Sequence, residues 1–417
     1  MNTEKELLNL SFHHHGKLPF LFVLVALVSA CTPTTSSSSS LAESSSSSSE
    51  IISSSSSSSS SAYSIPSSSI SMTSYSTVIT GSSAFTLGSA GNYLSSETNT
   101  TQLDVYSIEM HGQYGDATLF DYGNYEILVD GGAFEDASYV KAMMTQYVTD
   151  NVLDMLVVTH EHADHYGGIS YASTWSNITS ITNIVDYGYY GENNYEVRRD
   201  SYISMGSEYH PITELFMHSD GIYHISERMS LQFLNTDCYV APGGTTNDPN
   251  TTSICFLLSF DNTVFYMNGD STGTTDSGIR GNYPGLITTD QVVVYKGAHH
   301  GSNSYGSNGS TFLRLFVQPD VVFISAAIDE VNQTASGVVE GQHPYYAPLT
   351  LFALYTDQVY WNGINGTLTI HSDGAAITVT GAGRTLDYYV DGVVVNRLAE
   401  KDINIYQSQW YLNYLIP

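Results

Sequence analysis

Positive charge is scarce in this sequence. Twelve Lys and Arg stand against 41 Asp and Glu in 417 residues, a formal net charge of −29. A surface of that sign repels nucleic acid and anionic membranes over a Debye length, so long nucleic acid is disfavoured as a partner. Any polyanion would have to be held by metal charge or by a few local cations. The plainer reading of the acidity is solubility in an exposed, salty setting. Cysteine is scarce too: Cys31, Cys238 and Cys255. The last two are not a zinc motif at their spacing. They leave open one disulfide or buried thiols, since Cys255 lies in the apolar run ICFLLSF. No repeat of fixed period and no flavin domain is visible, which removes a redox role. Nor is there an apolar run long enough to span a bilayer; Lys17 to Cys31 (KLPFLFVLVALVSAC) offers only about a dozen apolar residues, the length of a secretory h-region.

Val28-Ser29-Ala30-Cys31 resembles a bacterial lipobox. That resemblance implies lipidation of Cys31 and export, with the chain anchored to the outer face of the cell membrane and touching it only there; plain secretion is the alternative. Residues 1–31 are thus expected to be a lipoprotein-type signal. Residues 32–100 are expected to be a flexible tether, almost pure serine over 35–72, which cannot bury apolar surface. His13, His14 and His15 precede the cleavage point and carry no role.

A domain is expected over 101–381. LDVYSIEM, ATLFDYG and YEILVDGG read as strands, DASYVKAMMTQYV as a helix and LDMLVVT as a buried strand. SICFLLSF, TVFYMNGD, QVVVYKGAHH and DVVFISAA read as further strands. STFLRLF and APLTLFALYT look helical, and GTLTIHSDGAAITVTG looks like a hairpin. Two series of strands with intervening helices predict an α/β fold of two sheets covered by helices. Residues 175–250, rich in Tyr and Asn, are expected to form long loops near a site mouth. Residues 382–417 are expected to pack on the domain as an extension.

The chemistry centres on His160-Glu161-His162-Ala163-Asp164-His165. A buried strand ends at Thr159, and Gly167-Gly168 follow. His160 and His162 alternate along an extended end, and Asp164 and His165 close up in the next turn, so one loop can feed two neighbouring metal ions. Imidazole suits zinc or iron, and carboxylate suits hard ions such as manganese. Four such groups left unmetallated in a core would be costly. Asp270 ends an apolar strand after Gly269, as a turn former or a ligand. His299 and His300 follow the strand VVVYK, with Gly301 and Ser302 after them.

H-x-H-x-D-H after an apolar strand resembles the metallo-β-lactamase superfamily, and implies a four-layer αββα sandwich with a di-metal site between the sheets. YGDATLF, ILVDGG, FYMNGD, YKGAHHGSNSYGS, GQHP and GTLTIHSDG are similar, in order, to motifs of the hydrolase domain of ComEC-type competence proteins and their free-standing relatives. The resemblance implies that His160 and His162 hold one ion, Asp164 and His165 the other, with Asp270 bridging. Zinc is expected first, manganese or iron as alternatives. The arrangement that phosphodiester-hydrolysing relatives favour makes His343 the last ligand, with His299 and His300 meeting the substrate; His300 as the last ligand is the alternative. Asn250 and Ser253, within an N-x-x-S matching the branch, would stand where other members supply a histidine, and are expected to contact substrate. His210, His218 and His224 are available there without a recognisable motif, so the first ion is under-coordinated. Tyr114 stands where the branch has Gln.

The resulting expectation is an extracytoplasmic hydrolase, of phosphodiesters first, acting through a hydroxide shared by the two ions. Asp164 would orient the nucleophile, His299 or His300 would protonate the leaving oxygen, and Lys296 and Ser302 would hold the anionic group. Hydrolysis of β-lactams or lactones is the enzymatic alternative, and a surface-anchored binding protein with a vestigial metal site the non-enzymatic one.

Overall fold

The computed structural model describes residues 93–95, 100–112, 114–188, 194–212, 222–235, 249–328, 343–390, 393–408 and 411. The expected signal, nearly all of the expected tether, Cys31, Cys238 and His218 lie outside the described residues.

The apolar runs become short strands. The first series is β1 (Leu103–Ser107), β2 (Thr118–Asp121), β3 (Glu126–Val129), β4 (Val152–Val158), β5 (Ser180–Asp186) and β6 (Glu208–Pro211). The second is β7 (Ile222–His224), β8 (Met229–Phe233), β9 (Phe256–Phe260), β10 (Thr263–Met267), β11 (Val292–Lys296), β12 (Val321–Ile324) and β13 (Val359–Trp361). The hairpin β14 (Leu368–Ser372) and β15 (Ile377–Gly381) returns to the first sheet, beside β1. One sheet runs β15-β14-β1-β2-β3-β4-β5-β6 and the other β13-β12-β11-β10-β9-β8-β7.

Alternation along the strands explains the layering. In β10, Phe265 and Met267 enter the core between the sheets, where they join Phe120, Ile127, Val157, Phe256 and Phe323. Val264 and Tyr266 point the other way, onto Ile279, Phe312 and Phe316. The first sheet does the same with Leu128, Leu156 and Val158, which pack on Val140 and Met144. A strand buried on both faces reads as a continuous apolar run, and that is how β4 and β10 read. The covering helices are α1 (Ala137–Tyr147) on one side and α4 (Gly273–Asn282) on the other; between them in sequence come α2 (Ala163–Tyr166) and α3 (Asn194–Met205). This is the expected αββα sandwich.

The expectation of long loops over 175–250 is corrected. The described part holds β5, α3, β6, β7 and β8. Its signal was masked because α3 buries polar and aromatic side chains, Tyr195, Glu196, Arg199 and Tyr202, in place of an apolar stripe. Arg199 is satisfied there by Asp186 at 3.0 Å and lies over the Tyr209 ring.

After Gly381 comes a two-stranded sheet, β16 (Arg384–Val390) with β17 (Val393–Glu400). The chain then returns to the domain, where Ile405 is buried and Tyr406 donates its hydroxyl to Leu349 O at 2.6 Å. Among the described residues no helix is long and apolar enough to cross a membrane.

Candidate metal centre

β3 to β6 run parallel, and so do β10 to β13. Parallel neighbours bring their carboxyl ends to one edge, the usual ligand-binding edge of such sheets. Asp130 follows β3, His160 follows β4, Asp270 follows β10 and His300 follows β11. Chain direction alone gathers these residues.

The loops at this edge meet backbone to backbone. Gly131 N–H donates to His165 O at 2.6 Å, and Gly168 N–H to Gly132 O at 3.0 Å. A Cβ on Gly168 would fall on the carbonyl oxygen of Gly131, which is why the turn after His165 is glycine.

Asp270 is the centre of the arrangement. Its Oδ1 lies 3.2 Å from His165 Nε2, and its Oδ2 lies 3.4 Å from His300 Nε2 and 3.9 Å from His160 Nε2. Two donor clusters therefore share this carboxylate: Asp116, His165, Asp270 and His300 form one, and His160, His162 and Asp270 the other. Within each, the donor atoms lie within 4.8 Å of one another. His160 Nε2 and His162 Nδ1 are 3.0 Å apart. Asp164, a quarter exposed, approaches the first cluster from the solvent side with Oδ2 3.1 Å from His300 Nε2.

Each inner histidine is fixed from behind. His165 Nδ1 is 2.8 Å from Asp130 Oδ2, and the same carboxylate accepts the backbone N–H and the hydroxyl of Thr159 at 2.7 and 2.8 Å. His300 Nδ1 lies 3.0 Å from Ser325 O, and His160 Nδ1 lies 3.2 Å from Ser253 Oγ. A carbonyl or carboxylate behind Nδ1 places the proton there and leaves the Nε2 lone pair facing inward, the arrangement metal-ligating histidines use. His299 and His300 hold left-handed backbone angles, φ 51° and 54°, unusual for non-glycine residues and common at functional turns.

The electrostatics agree. Asp116, Asp130, Asp164 and Asp270 crowd one edge, and among the described residues Lys296 is the one ammonium buried with them. Burial alone would lower the His300 pKa, yet Asp270 and Asp164 push it up to about 10. His165 is likewise held well above its ordinary range, Asp270 and Asp130 outweighing burial. Asp270, although burial opposes it, is held well below the usual carboxylate range by His300 and His165. A pocket that draws protons this strongly draws divalent cations for the same reason. His165 Nε2 and Asp270 Oδ1 are buried and face each other at 3.2 Å without a well-formed hydrogen bond to any group, so a nitrogen and a carboxylate oxygen stand ready for an ion. This donor set fits divalent metals of the zinc, manganese and iron class.

The other expected site residues are placed as follows. Lys296 is buried, its Nζ donating to Gly269 O at 2.7 Å and paired with Asp116. Ser253 Oγ accepts the Asp270 N–H at 3.1 Å besides meeting His160. Asn250 is buried in the turn Pro249–Thr252. Ser302 is buried, its Oγ accepting the Ser304 N–H at 2.9 Å. His299 faces the cleft, Nε2 3.7 Å from Asp270 Oδ2. His343 belongs to neither donor cluster; it stacks on Tyr345, ring centroids 4.7 Å apart, and meets Tyr114 edge-on at 4.7 Å. His210 lies in β6 and His224 ends β7, outside both clusters. Cys255 is buried, with Sγ 3.5 Å from Ser253 O.

Two site residues escaped the sequence. Asp116 and Asp130 stand in the GDA and DGG motifs, which show the fold's turns, but nothing local says that both carboxylates end beside His165.

Residues 112–289 match the model of the metallo-beta-lactamase superfamily, a span that contains His160 to His165 and Asp270 and stops before His299. No curated protein matches. Among solved structures, the chain is similar to the metallo-beta-lactamase fold protein YhfI from Bacillus subtilis, at 10% identity, 62% of this chain, 95% of that one and a TM-score of 0.38. It is also similar to the short form of human tRNase Z, at 12% identity, covering 62% and 93%, with a TM-score of 0.32. A diphosphatase of the PhnP family is 11% identical over 53% and 86%, with a TM-score of 0.31.

Proposed function

We propose that this metallo-β-lactamase superfamily domain is a two-metal hydrolase of phosphodiesters that works outside the cell. One observation carries the reading: Asp270 belongs to both nitrogen- and oxygen-donor clusters, its carboxylate lying 3.2 Å from His165 and 3.4 Å from His300 in one and 3.9 Å from His160 in the other, which describes a pair of ion positions sharing one carboxylate. His160 and His162 would hold one ion. Asp164, His165 and His300 would hold the other, with Asp116 behind it. His300 is favoured over His343 because its Nε2 faces Asp164 and Asp270 while its Nδ1 is tied to Ser325. When bound, two such ions supply a water of lowered pKa and positive charge for phosphoryl oxygens.

The chain's own groups do the rest. Hydrolysis forms a bond from water oxygen to phosphorus, breaks the bond from phosphorus to the departing alcohol oxygen, and moves one proton from water to that alcohol. Asp164, exposed on one side and held well below the usual carboxylate range, is ionised and orients the attacking water. His299 has its pKa lowered by burial, so at neutral pH its ring is uncharged and serves as a hydrogen-bond donor at the cleft. Phosphodiesters are preferred to β-lactams on the likeness of the His299–Ser302 loop to the ComEC-type motif. The lipobox-like Cys31 supports the extracellular setting.

The test is to assay bis-(p-nitrophenyl) phosphate, single-stranded DNA and a β-lactam side by side, with zinc and with manganese. Diester hydrolysis that is abolished in His162→Ala supports the reading. Turnover of the β-lactam alone transfers the site to the enzymatic alternative, and inactivity on all three, with no metal retained, leaves the binding protein.

A further inference from the structure

Beside Asp270 the cleft is walled by rings. Tyr305, His299, His343 and Tyr345 form a near-parallel series: His299 and Tyr305 are inclined by 6° with centroids 6.3 Å apart, His299 and His343 by 24° at 5.9 Å, and His343 and Tyr345 by 21° at 4.7 Å. Tyr114 closes the series from the side, stacked on His300 at 5.8 Å and edge-on to His343. The outer ring, Tyr305, is two-thirds exposed, and its backbone is held left-handed at φ 52°. An L-residue of this size rarely adopts that conformation, and here it carries a large ring into solvent beside the donor clusters instead of burying it. Packing does not require such a residue. Lys296 adds no charge to this wall, being spent on Asp116 and Gly269 inside the fold.

A wall built of aromatic rings binds a flat, polarisable group, not a run of phosphates; stacking of one base on an aromatic side chain is worth roughly a few kcal/mol and tolerates different ring identities. We infer that the Tyr305–His299–His343 wall is a stacking subsite that selects phosphodiesters carrying a planar ring of nucleobase type on the ester arm next to the scissile phosphorus, as in a nucleotide ester or short oligonucleotide. This rests on the hydrolase reading above and adds the substrate class. It also accounts for His343 and Tyr114, which both shape the wall without needing to touch metal.

The metal-loaded full chain should be compared on thymidine 5′-(p-nitrophenyl phosphate) and methyl p-nitrophenyl phosphate, which share a leaving group and differ in the retained arm. The subsite predicts kcat/KM about tenfold higher for the thymidine ester, carried by KM. Tyr305→Ala should bring the ratio of the two esters close to one, whereas Tyr305→Phe should keep it. Equal rates on both esters in the native chain, or a ratio that Tyr305→Ala leaves intact, would overturn the subsite while leaving the hydrolase reading standing. Hydrolysis of neither ester would remove the hydrolase reading. Calorimetric binding of thymidine 5′-monophosphate against methyl phosphate then decides the subsite separately: preference for the nucleotide, lost in Tyr305→Ala, supports it, and equal binding refutes it.

Discussion

Lys296 offers the sharpest stability test. At the end of an apolar strand beside the double histidine it reads as a substrate-binding cation, but its side chain is 2% exposed, and that of its partner Asp116 is 4% exposed. Lys296→Met keeps the aliphatic stem and removes the ammonium. Asp116 then loses its counter-ion, and the carbonyl of Gly269 loses a donor held at 2.7 Å. The neighbouring rings cannot take over freely, because His165 Nδ1 is committed to Asp130 and His300 Nδ1 to Ser325 O. Removing one partner of a buried pair costs about 3–5 kcal/mol, because a desolvated charge stays behind. For a domain of this size that is a drop in Tm of roughly 10 °C. Melting curves and urea titrations of the wild type, Lys296→Met and the double variant Asp116→Asn with Lys296→Met provide the measurement. The double variant should recover part of the loss, since the stranded charge is gone. If Lys296→Met melts within about 2 °C of the wild type and raises KM for an anionic substrate, the amine works on substrate and the structural role is refuted.

Two further outcomes follow from the geometry. Asp130→Asn leaves the fold's hydrogen bonds to Thr159 largely in place but weakens the hold on His165 Nδ1; metal affinity should fall about 10- to 100-fold in a competition titration with a chromophoric chelator, and an unchanged affinity would refute the anchoring role. Glu126 and Asp154 form a carboxyl pair in the first sheet; burial, then Asp154, pushes Glu126 up to about 9, and burial pushes Asp154 up to about 6. Both folded values are raised, so the protonated pair belongs to the fold: its contribution is fully present below the unfolded value near 4.5 and is lost as pH rises toward 9. Glu126→Gln should therefore match the wild type in urea midpoint near pH 4.5 and exceed it increasingly up to pH 9, and a difference that does not vary with pH would contradict the assignment.

Much of this was legible in the sequence, for identifiable reasons. β4, β10 and β11 read as strands because both faces are buried, and the histidine-rich loop stood out because such donors are expensive to bury without an ion. The hairpin β14–β15 was visible from its turn at Gly374 and its alternation. Tertiary partners were not visible. His300 faces Asp270 because Ser325 O holds its Nδ1 from behind, and Ser325 follows a different strand. Ser253 looked like a substrate contact, yet its hydroxyl meets His160 and Asp270 because β9 pairs with β10. The helix α3 was missed because it buries an arginine, a glutamate and tyrosines where a helix usually shows leucine and valine.

If two metal ions share Asp270, the number of ions bound per chain must change when that carboxylate is removed. Wild type, His162→Ala and Asp270→Ala, each checked for folding by circular dichroism, are loaded with zinc, dialysed and measured by elemental analysis. A shared carboxylate gives two ions per chain in the wild type, one in His162→Ala and almost none in Asp270→Ala. Asp270→Ala retaining as much metal as the wild type, or losing no more than His162→Ala does, would contradict it.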